Sequence, residues 1–278
     1  MVLVHISAGL GNQMFQYALY CTCLDKGLNA KIELSAYSTK GERRKYELEK
    51  VFGVKPAVAS AIELEYMKVV SKIKFKLFGQ PYKETHEHFG NWNKDVRDVN
   101  SGYLNGYWQS EKYFLDIAGK IRQQFIFPPI TDINNLAMLK LIEGANAASI
   151  HIRRSDYLEN ENWAISINYY KKAIALMKSK FLGIEFFVFS DDINWSKENF
   201  ADPGFHFIDF NTGAESYRDM QLMSKCNHHI IANSSFSWWG AWLNPNPGKI
   251  VIAPDRWIPN INGTRDIIPA NWIKLPAD

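Results

Sequence analysis

The chain has 278 residues, of which 46% are hydrophobic and 22% are charged, and its formal net charge at pH 7 is +3. This composition excludes an intrinsically disordered chain and indicates a globular protein with two ordinary domains or one large one. A net charge this close to zero gives no strong basic field, so nothing in it indicates a nucleic-acid partner.

The three cysteines, Cys21, Cys23 and Cys226, are too few and too irregularly spaced for a disulfide framework, and they lack the second pair that a zinc site needs. They favour small buried thiols in a reducing compartment. The apolar run Val2–Ile6 is too short for a signal peptide, and no segment approaches the ~18 apolar residues of a membrane span. These features predict a cytoplasmic protein.

The chain begins with a strand, a glycine turn and a helix. Residues 2–6 are apolar and β-branched and predict a strand. Residues 13–26 predict a helix, which Gly27 follows as a C-terminal glycine, and residues 30–34 predict the next strand. This order indicates a Rossmann-like unit.

The middle of the chain is less regular, but residues 59–78 predict a helix. Lys68, Lys72 and Lys76 follow one another at intervals of four, with apolar residues on another face. Two interpretations stay open. The favoured one is a solvated amphipathic helix, and the alternative is peripheral contact of residues 68–78 with the inner face of an anionic membrane.

From Ala147 onward, strands and helices alternate regularly, which predicts a parallel sheet with right-handed crossovers. In such sheets ligands bind at the carboxyl ends of the strands. The predicted strands are residues 147–152, 184–189, 205–208, 228–232 and 250–253, and the helices between them are residues 168–180, a short one after 192, 215–225 and 236–243.

The division into domains is predicted at 146/147. Residues 125–129, with the sequence Phe-Ile-Phe-Pro-Pro, predict a linker or domain edge before the regular alternation resumes. We therefore assign residues 1–146 to an N-terminal Rossmann-like domain with an irregular helical insertion. Residues 147–278 form a second Rossmann-like domain.

Polar residues follow the first predicted strand. The turn Gly9-Leu-Gly11 precedes Asn12 and Gln13, whose amides can donate hydrogen bonds to an anion or a sugar at a helix N-terminus. The alternative is an ordinary strand-to-helix turn. The dinucleotide fingerprint Gly-x-Gly-x-x-Gly requires its third glycine at position 14, where this chain has methionine. The motif therefore fails, and NAD binding is disfavoured.

The segment His151–Asp156 places two arginines, Arg153 and Arg154, directly after a buried strand. Arginines there are costly unless they meet anions, and the planar guanidinium pairs with phosphate oxygens through two parallel hydrogen bonds. Successive residues that leave a strand point to opposite faces, so one arginine is expected to face a ligand and the other to meet Asp156 or the opposite wall. The alternative is an Arg–Asp pair that anchors a loop.

Two more predicted strand ends carry polar residues. Asp191 and Asp192 could accept hydrogen bonds from a nucleotide base or ribose, or they could cap the next helix. A third interpretation is that one aspartate contacts the nucleotide and the other caps the helix. Ser234 and Ser235 precede an aromatic helix, where hydroxyls and backbone N–H groups bind anions or form an ordinary N-cap. Combined with Arg153 they predict a nucleoside diphosphate. The sequence contains no Asp-x-Asp triplet, so no metal cofactor is expected.

Together these motifs resemble the α-1,2-fucosyltransferases of glycosyltransferase family 11, particularly the bacterial members. The resemblance rests on residues 9–18, 151–157, 189–192 and 233–243, which occur in family order. It implies an α/β fold of GT-B type, with the active site between two Rossmann-like domains. It also implies transfer of L-fucose, with inversion and without a metal, from GDP-β-L-fucose to the 2-hydroxyl of a terminal galactose in an oligosaccharide or a lipid-linked glycan.

The resemblance further implies roles for single residues. Arg153 holds the β-phosphate of GDP, and Asn12 faces the reacting sugar. The resemblance does not identify the base that deprotonates the acceptor; Asp156 is our first candidate, and the alternative is that it only holds Arg154. Ser155 stands where the family often has Gly, which a serine tolerates if its φ is negative. The residues assigned to the nucleotide sugar are Gly11, His151, Arg153, Asp191, Asp192, Ser234, Ser235 and Phe236.

Two other functions stay open. One is a related GT-B transferase, such as a protein O-fucosyltransferase or an enzyme that uses a different nucleotide sugar. The other is a non-catalytic sugar-binding protein, which the nine Trp and thirteen Tyr residues would suit. A sugar-binding protein needs only stacking aromatic residues, so it would not explain the paired arginines and the serine turn. The transferase is therefore favoured.

Overall fold

The structure is a computed structural model that describes residues 1–38, 44–78, 84–87, 91–158, 163–258 and 266–278. Within helices and strands, the side chains of residues 68, 71–78, 84, 86, 97 and 156 are outside this description. Contacts divide the chain into two compact units. One contains Met1–Ile126 and a short segment around Ile267, and the other begins at Phe127 and includes Ile268–Asp278.

The first unit is built on a parallel sheet with the strand order β2-β1-β4-β3. Its elements in chain order are β1 (Val2–His5), α1 (Leu10–Asp25), β2 (Ala30–Glu33), α2 (Leu48–Phe52), α3 (Ala61–Phe78), β3 (Glu84–His86), β4 (Gly102–Asn105) and α4 (Ala118–Gln124). The predicted opening of strand, helix and strand is confirmed. Strands β3 and β4 were not expected from the sequence.

Helix α1 begins three residues earlier than the sequence predicts. Gly9 has extended backbone angles, with φ −80° and ψ 171°, and serves as the N-cap. Gly11 and Asn12 therefore lie in the first turn of the helix rather than in a loop before it. Met14, Phe15 and the neighbouring aromatic residues pack the helix into the core of the unit.

Helix α3 is confirmed over Ala61–Phe78, close to the predicted 59–78. A capping box begins it: the Oγ of Ser60 accepts the backbone N–H of Glu63 at 3.2 Å, and the Glu63 carboxylate accepts the backbone N–H of Ser60 at 2.9 Å. In the ranges that the structure describes, no helix is both long enough and apolar enough to cross a membrane.

The second unit contains a parallel sheet with the strand order β10-β9-β8-β5-β6-β7. Its elements are α5 (Ile133–Gly144), β5 (Ala147–Ile152), α6 (Ser155–Leu158), α7 (Ile167–Lys180), β6 (Glu185–Ser190), α8 (Ile193–Asn199), β7 (Phe205–Ile208), α9 (Tyr217–Met223), β8 (His228–Ile230), α10 (Ser235–Leu243), β9 (Val251–Pro254) and β10 (Ile273–Leu275). The predicted alternation is confirmed, and β10 extends the sheet beyond the strand expected to be last.

Strand β5 lies in the middle of this sheet and is buried along its whole length. Side chains alternate between its two faces. Ile150 and Ile152 pack on the side of α7, whereas Phe187 and Phe189 of the neighbouring β6 pack with residues of α5 and α9. Both faces are covered by helices, which confirms the predicted α/β class.

Helix α5 packs within the second unit, because its Ile142 shares a cluster with Leu222 and Met223 of α9. The division by contacts therefore falls after Ile126. The division predicted at 146/147 instead gives this helix to the first domain.

The aromatic helix α10 contributes three indoles to a cluster of four, and Trp272 supplies the fourth. The ring of Trp238 lies 5.0 Å from Trp239, 6.1 Å from Trp242 and 5.5 Å from Trp272, as measured between ring centroids. At Gly240 a Cβ atom would lie 3.0 Å from the Cβ of Met223, so the glycine lets α9 approach closely. This cluster fixes the position of α10 in the unit.

Candidate functional site

The carboxyl edge of the second sheet collects polar residues that are distant in the sequence. In the sheet, β5 lies between β8 and β6, with Ile150 paired to Ile230 and Ile152 paired to Ser190. The residues that follow these three strands therefore emerge side by side. They include the arginines after β5, the aspartates after β6 and the serines after β8.

Arg153 is held in place by an aspartate and a tyrosine. Its Nε lies 3.2 Å from Oδ2 of Asp191, and its guanidinium lies 5.7 Å from the centre of the Tyr157 ring. A quarter of its side chain stays exposed. The guanidinium is thus fixed in orientation and still accessible, as an anion-binding group must be.

Arg154 has structural partners. Its backbone N–H donates to Oδ1 of Asp191 at 2.8 Å, and its Nε donates to Oδ2 of Asp192 at 3.4 Å. Its guanidinium stacks 3.9 Å from the centre of the Trp195 ring. Of the two arginines, Arg153 is therefore the better candidate for a ligand contact.

The two aspartates have different local roles. Asp192 is the N-cap of α8, because its Oδ1 accepts the backbone N–H of Trp195 at 3.2 Å, which confirms the predicted cap. Asp191 uses one oxygen for the backbone of Arg154 and the other for Nε of Arg153. It therefore holds the arginine segment, and its contact with a nucleotide stays a prediction.

His151 presents a buried nitrogen that lacks a protein partner. The residue is 7% exposed, its Nδ1 makes no hydrogen bond, and its ring centroid lies 5.8 Å from that of Phe236. Burial, together with the charge of Arg153, lowers the pKa of His151 to about 3, so the imidazole is neutral at physiological pH. An unsatisfied buried polar atom costs ~1–3 kcal/mol, so Nδ1 of His151 would gain from a hydrogen bond with a ligand at this edge.

The start of α10 offers an anion site next to this histidine. Ser234 is the N-cap, and its Oγ accepts the backbone N–H of Phe236 at 3.4 Å. Ser234, Ser235 and Phe236 are all half-buried and so reach the surface. The N–H groups and the dipole of a helix N-terminus favour a negative ligand here.

Asn233 belongs to the same edge, although the sequence analysis assigned Ser234, Ser235 and Phe236, and not Asn233, to the ligand. Its Nδ2 donates to the carbonyls of Trp163 and Trp257, both at 3.1 Å, and Tyr157 donates its hydroxyl to the Asn233 carbonyl at 3.1 Å. Two carbonyl acceptors fix the amide orientation, which leaves the buried Oδ1 without a partner. Asn233 thus ties two loops to the start of α10.

Helix α6 follows the arginines. Ser155 lies in this helix, and its φ is not positive. A serine therefore fits where the family often has glycine. Its Oγ donates to the Asp191 carbonyl at 2.9 Å. The backbone of Asp156 lies in the same helix, but its side chain is outside the described residues, so its role as base stays a prediction.

In the first unit, the side chain of Gln13 stabilises the glycine turn and a neighbouring loop. Gln13 is fully buried, its Nε2 donates to the carbonyls of Ala8 and Lys45, and its Oε1 accepts the backbone N–H of Glu47. Both of its side-chain hydrogens are thereby used, so Gln13 has none left for a ligand. Asn12 is half-buried, and its Oδ1 accepts a hydrogen bond from Gln109 at 2.7 Å.

A carboxylate at the end of β3 organises the loop that carries Gln109. Glu87 accepts the backbone N–H groups of Tyr107 at 2.6 Å and of Gln109 at 3.1 Å. Burial raises its pKa despite these bonds. At Gly106 a Cβ atom would lie 2.5 Å from the Cβ of Glu87, so only glycine allows this approach. No sequence pattern singled out Glu87, because β3 itself was not predicted.

A second unpredicted carboxyl group lies at the start of α9. The Oδ1 of Asp219 accepts a hydrogen bond from Nδ2 of Asn211 at 2.8 Å, and Asn211 exchanges hydrogen bonds with Asn135. Burial raises the pKa of Asp219 to about 7. This carboxyl therefore changes charge near physiological pH.

Replacement of Asp219 by asparagine is expected to stabilise the protein at pH 8 and to change little at pH 4. The folded state keeps the proton up to about pH 7, whereas the unfolded chain releases it near pH ~3.9, so wild-type stability falls as the pH rises through this window. Asparagine cannot ionise and still accepts from Asn211. Thermal unfolding at pH 8 should give a Tm higher by about 2–8 °C.

The exposed carboxylate Asp202, which pairs with Lys178, provides the control for net charge through Asp202→Asn. An equal gain in Tm for Asp219→Asn at pH 4 and pH 8 would contradict the buried-carboxyl explanation.

The described residues include no group of three or more His, Cys, Asp or Glu side chains placed to share a metal ion. Cys23 and Cys226 are buried and Cys21 is half-buried, and all three are free thiols. Burial raises the pKa of each, so none has the character of a reactive thiolate.

Parallel α/β units with an oriented arginine and a helix N-terminus at one sheet edge suit the binding of an anionic ligand. The model of Glycosyl transferase family 11 matches residues 1–275. The α-1,2-colitosyltransferase of Escherichia coli is 33% identical over 293 residues, which cover 99% of this chain and 98% of that protein. The O-antigen biosynthesis glycosyltransferase WbnK of Escherichia coli is 30% identical over 300 residues, with coverage of 97% and 99%.

Among solved structures, a mutant of Arabidopsis thaliana FUT1 in complex with GDP has a TM-score of 0.51 and 12% identity, over 91% of this chain and 70% of that one. This likeness concerns the fold and supports the predicted GT-B type. The chain belongs to glycosyltransferase family 11. It is therefore a transferase, and the non-catalytic sugar-binding alternative is disfavoured.

Proposed function

We propose that the chain transfers L-fucose from GDP-β-L-fucose to the 2-hydroxyl of a terminal galactose, with inversion to an α-1,2 linkage. The observation that carries the proposal is the oriented guanidinium of Arg153 beside the N-terminus of α10. Both lie at one edge of the sheet, after strands that are direct neighbours. A diphosphate needs two such contacts, and this edge supplies them from one rigid unit.

The chemistry proposed for this edge requires no metal. When the bond between fucose and phosphate breaks, negative charge develops on the diphosphate while the sugar becomes cationic in character. Arg153 and the N–H groups at the start of α10 stabilise that charge where it forms. The neutral imidazole of His151 supplies an uncharged hydrogen-bonding partner to the nucleotide. Undiminished activity in excess EDTA is the corresponding expectation.

A second donor follows from the family members. The name of the 33% identical relative specifies colitose, a fucose that lacks its 3-hydroxyl, and other relatives are named galactoside α-(1,2)-fucosyltransferases. These names share an α-1,2 linkage and differ in the sugar. A GDP-activated 3,6-dideoxyhexose is therefore the alternative donor, with the same leaving group and the same role for Arg153.

The test is a panel of donors against galactose-terminated acceptors. GDP-fucose, GDP-colitose, GDP-mannose and UDP-galactose are compared by kcat/KM, and the linkage of the product is determined by NMR. A site that hydrogen-bonds the 3-hydroxyl rejects the deoxy donor by about 10⁴–10⁵-fold, whereas an apolar pocket separates the two donors by about 10²-fold or less. Preference for UDP-galactose, or transfer to another hydroxyl, would refute the proposal.

Asp156→Asn tests the proposed base. If Asp156 accepts the proton of the acceptor hydroxyl, kcat should fall by about 10²–10⁴-fold while the affinity for GDP stays unchanged. GDP affinity is measured by calorimetry, and kcat by product formation at saturating donor. Activity within a fewfold of wild type would remove Asp156 from this role and would favour a transition state so dissociative that it needs little base.

A further inference from the structure

Helix α3 exposes an apolar stripe. Ile62 is 82% exposed, Tyr66 is 64% exposed and Val69 is 50% exposed. Their spacing of four and then three residues places them on one face of the helix. Large apolar side chains in a row at the surface are characteristic of a contact with something other than water.

The other side of this helix is attached to the first unit. Leu64, Met67 and Val70 are half-buried, and Glu63 forms an ion pair with Lys31 of β2. The capping box with Ser60 fixes the start of the helix. The exposed stripe is therefore the outer face of a packed helix rather than the result of a detached segment.

The second half of α3 has a strongly basic sequence. Residues 66–78 contain four lysines and no acidic residue, the lysines being Lys68, Lys72, Lys74 and Lys76. The same sequence continues the apolar spacing with Ile73 and Leu77. The acidic residues of α3, Glu63 and Glu65, lie in its first turns, and Glu63 is paired with Lys31. The apolar stripe and the lysines that follow are complementary to an anionic lipid surface, since lipid tails contact the stripe and headgroups contact the lysines.

We infer that α3 docks this protein on the surface of an anionic membrane. The helix lies parallel to the surface, with Ile62, Tyr66 and Val69 at the boundary between headgroups and acyl chains. The lysines of its last three turns contact anionic headgroups. The inference does not depend on the donor or acceptor, and it would give the transferase access to glycans carried by lipids.

The test is co-sedimentation of the full chain with vesicles of phosphatidylcholine alone or with 30% phosphatidylserine. The wild type should bind only the anionic vesicles, and more weakly as salt rises. Lys72→Gln with Lys76→Gln should weaken binding about fivefold per lysine, or roughly 25-fold in all. Tyr66→Ser with Ile62→Ser should also abolish sedimentation.

Lys178→Gln with Lys197→Gln is the matched control, because it removes two exposed lysines from the second unit. This variant should bind vesicles as the wild type does. All variants should keep wild-type activity on a soluble acceptor, which shows that they fold. Binding that ignores lipid charge, or that falls equally in the control, overturns the inference. So does a dimer in solution that Tyr66→Ser with Ile62→Ser dissociates, since the stripe would then be an interface between copies.

Discussion

Replacement of Arg153 by lysine should reduce kcat/KM almost as severely as replacement by alanine, by about 10²–10³-fold. The guanidinium presents several N–H groups in one plane, so it contacts Asp191 through Nε and still directs donors elsewhere. A lysine has a single ammonium group at the end of a flexible chain, and it cannot reproduce both contacts. The measurement is steady-state transfer from GDP-fucose to a galactose-terminated acceptor.

Arg154→Lys is the matched control for this variant. Arg154 contacts Asp192 and stacks on Trp195, so its replacement should lower the Tm while kcat/KM stays within about tenfold of wild type. Full activity of Arg153→Lys would contradict the role assigned to Arg153. A large loss of kcat/KM in Arg154→Lys alone would indicate that Arg154, and not Arg153, contacts the diphosphate.

Replacement of Asp191 by alanine is expected to lower kcat/KM by about 10–100-fold, because misplacement of a positioned group by about 1 Å costs on the order of 10²-fold. The carboxylate holds both the backbone of Arg154 and the Nε of Arg153. Asp191→Asn keeps one acceptor oxygen and should fall between wild type and Asp191→Ala. Kinetics and calorimetric titration of nucleotides measure the two effects.

The calorimetric titration distinguishes positioning from direct contact with the base. If Asp191 acts through Arg153, the affinities for GDP, ADP and UDP all fall by a similar factor in Asp191→Ala. If Asp191 instead contacts guanine, the affinity for GDP falls selectively. A selective loss would therefore contradict the positioning role and restore the nucleotide contact that the sequence first suggested.

Much of the second sheet is predictable because its central strands are buried apolar runs bounded by turns. β5 matches the prediction to the residue, and β6 and β9 are each shifted by one position. The strands that were missed, β3, β4 and β10, have only three or four residues each. Predicted strands such as β1 and β8 are as short, but the missed ones, Glu-Thr-His, Gly-Tyr-Leu-Asn and Ile-Lys-Leu, are not continuous apolar runs. They become strands through pairing with a neighbour, which local sequence does not reveal.

The candidate site divides in the same way. Arg153 and Ser234 could be singled out from the sequence, because a charged residue directly after a buried strand and a hydroxyl at a helix start both indicate a binding or capping role. Asn233 could not, since its significance depends on carbonyls that lie 24 and 70 residues away. Asp219 could not either, since its significance depends on burial and on the amide of Asn211. The side-chain amide of Gln13 could in principle contact a ligand, but its Nε2 donates both hydrogens to backbone carbonyls of the first unit.

The indole cluster of α10 gives the protein a built-in optical reporter. Trp238, Trp239, Trp242 and Trp272 lie within ring-contact distance of at least one other member, so excitation energy passes readily among them. The same helix begins at Ser235, where the proposed diphosphate contact lies. Tryptophan emission and near-ultraviolet circular dichroism should therefore register both ligand arrival at α10 and loss of its packing, without any attached dye.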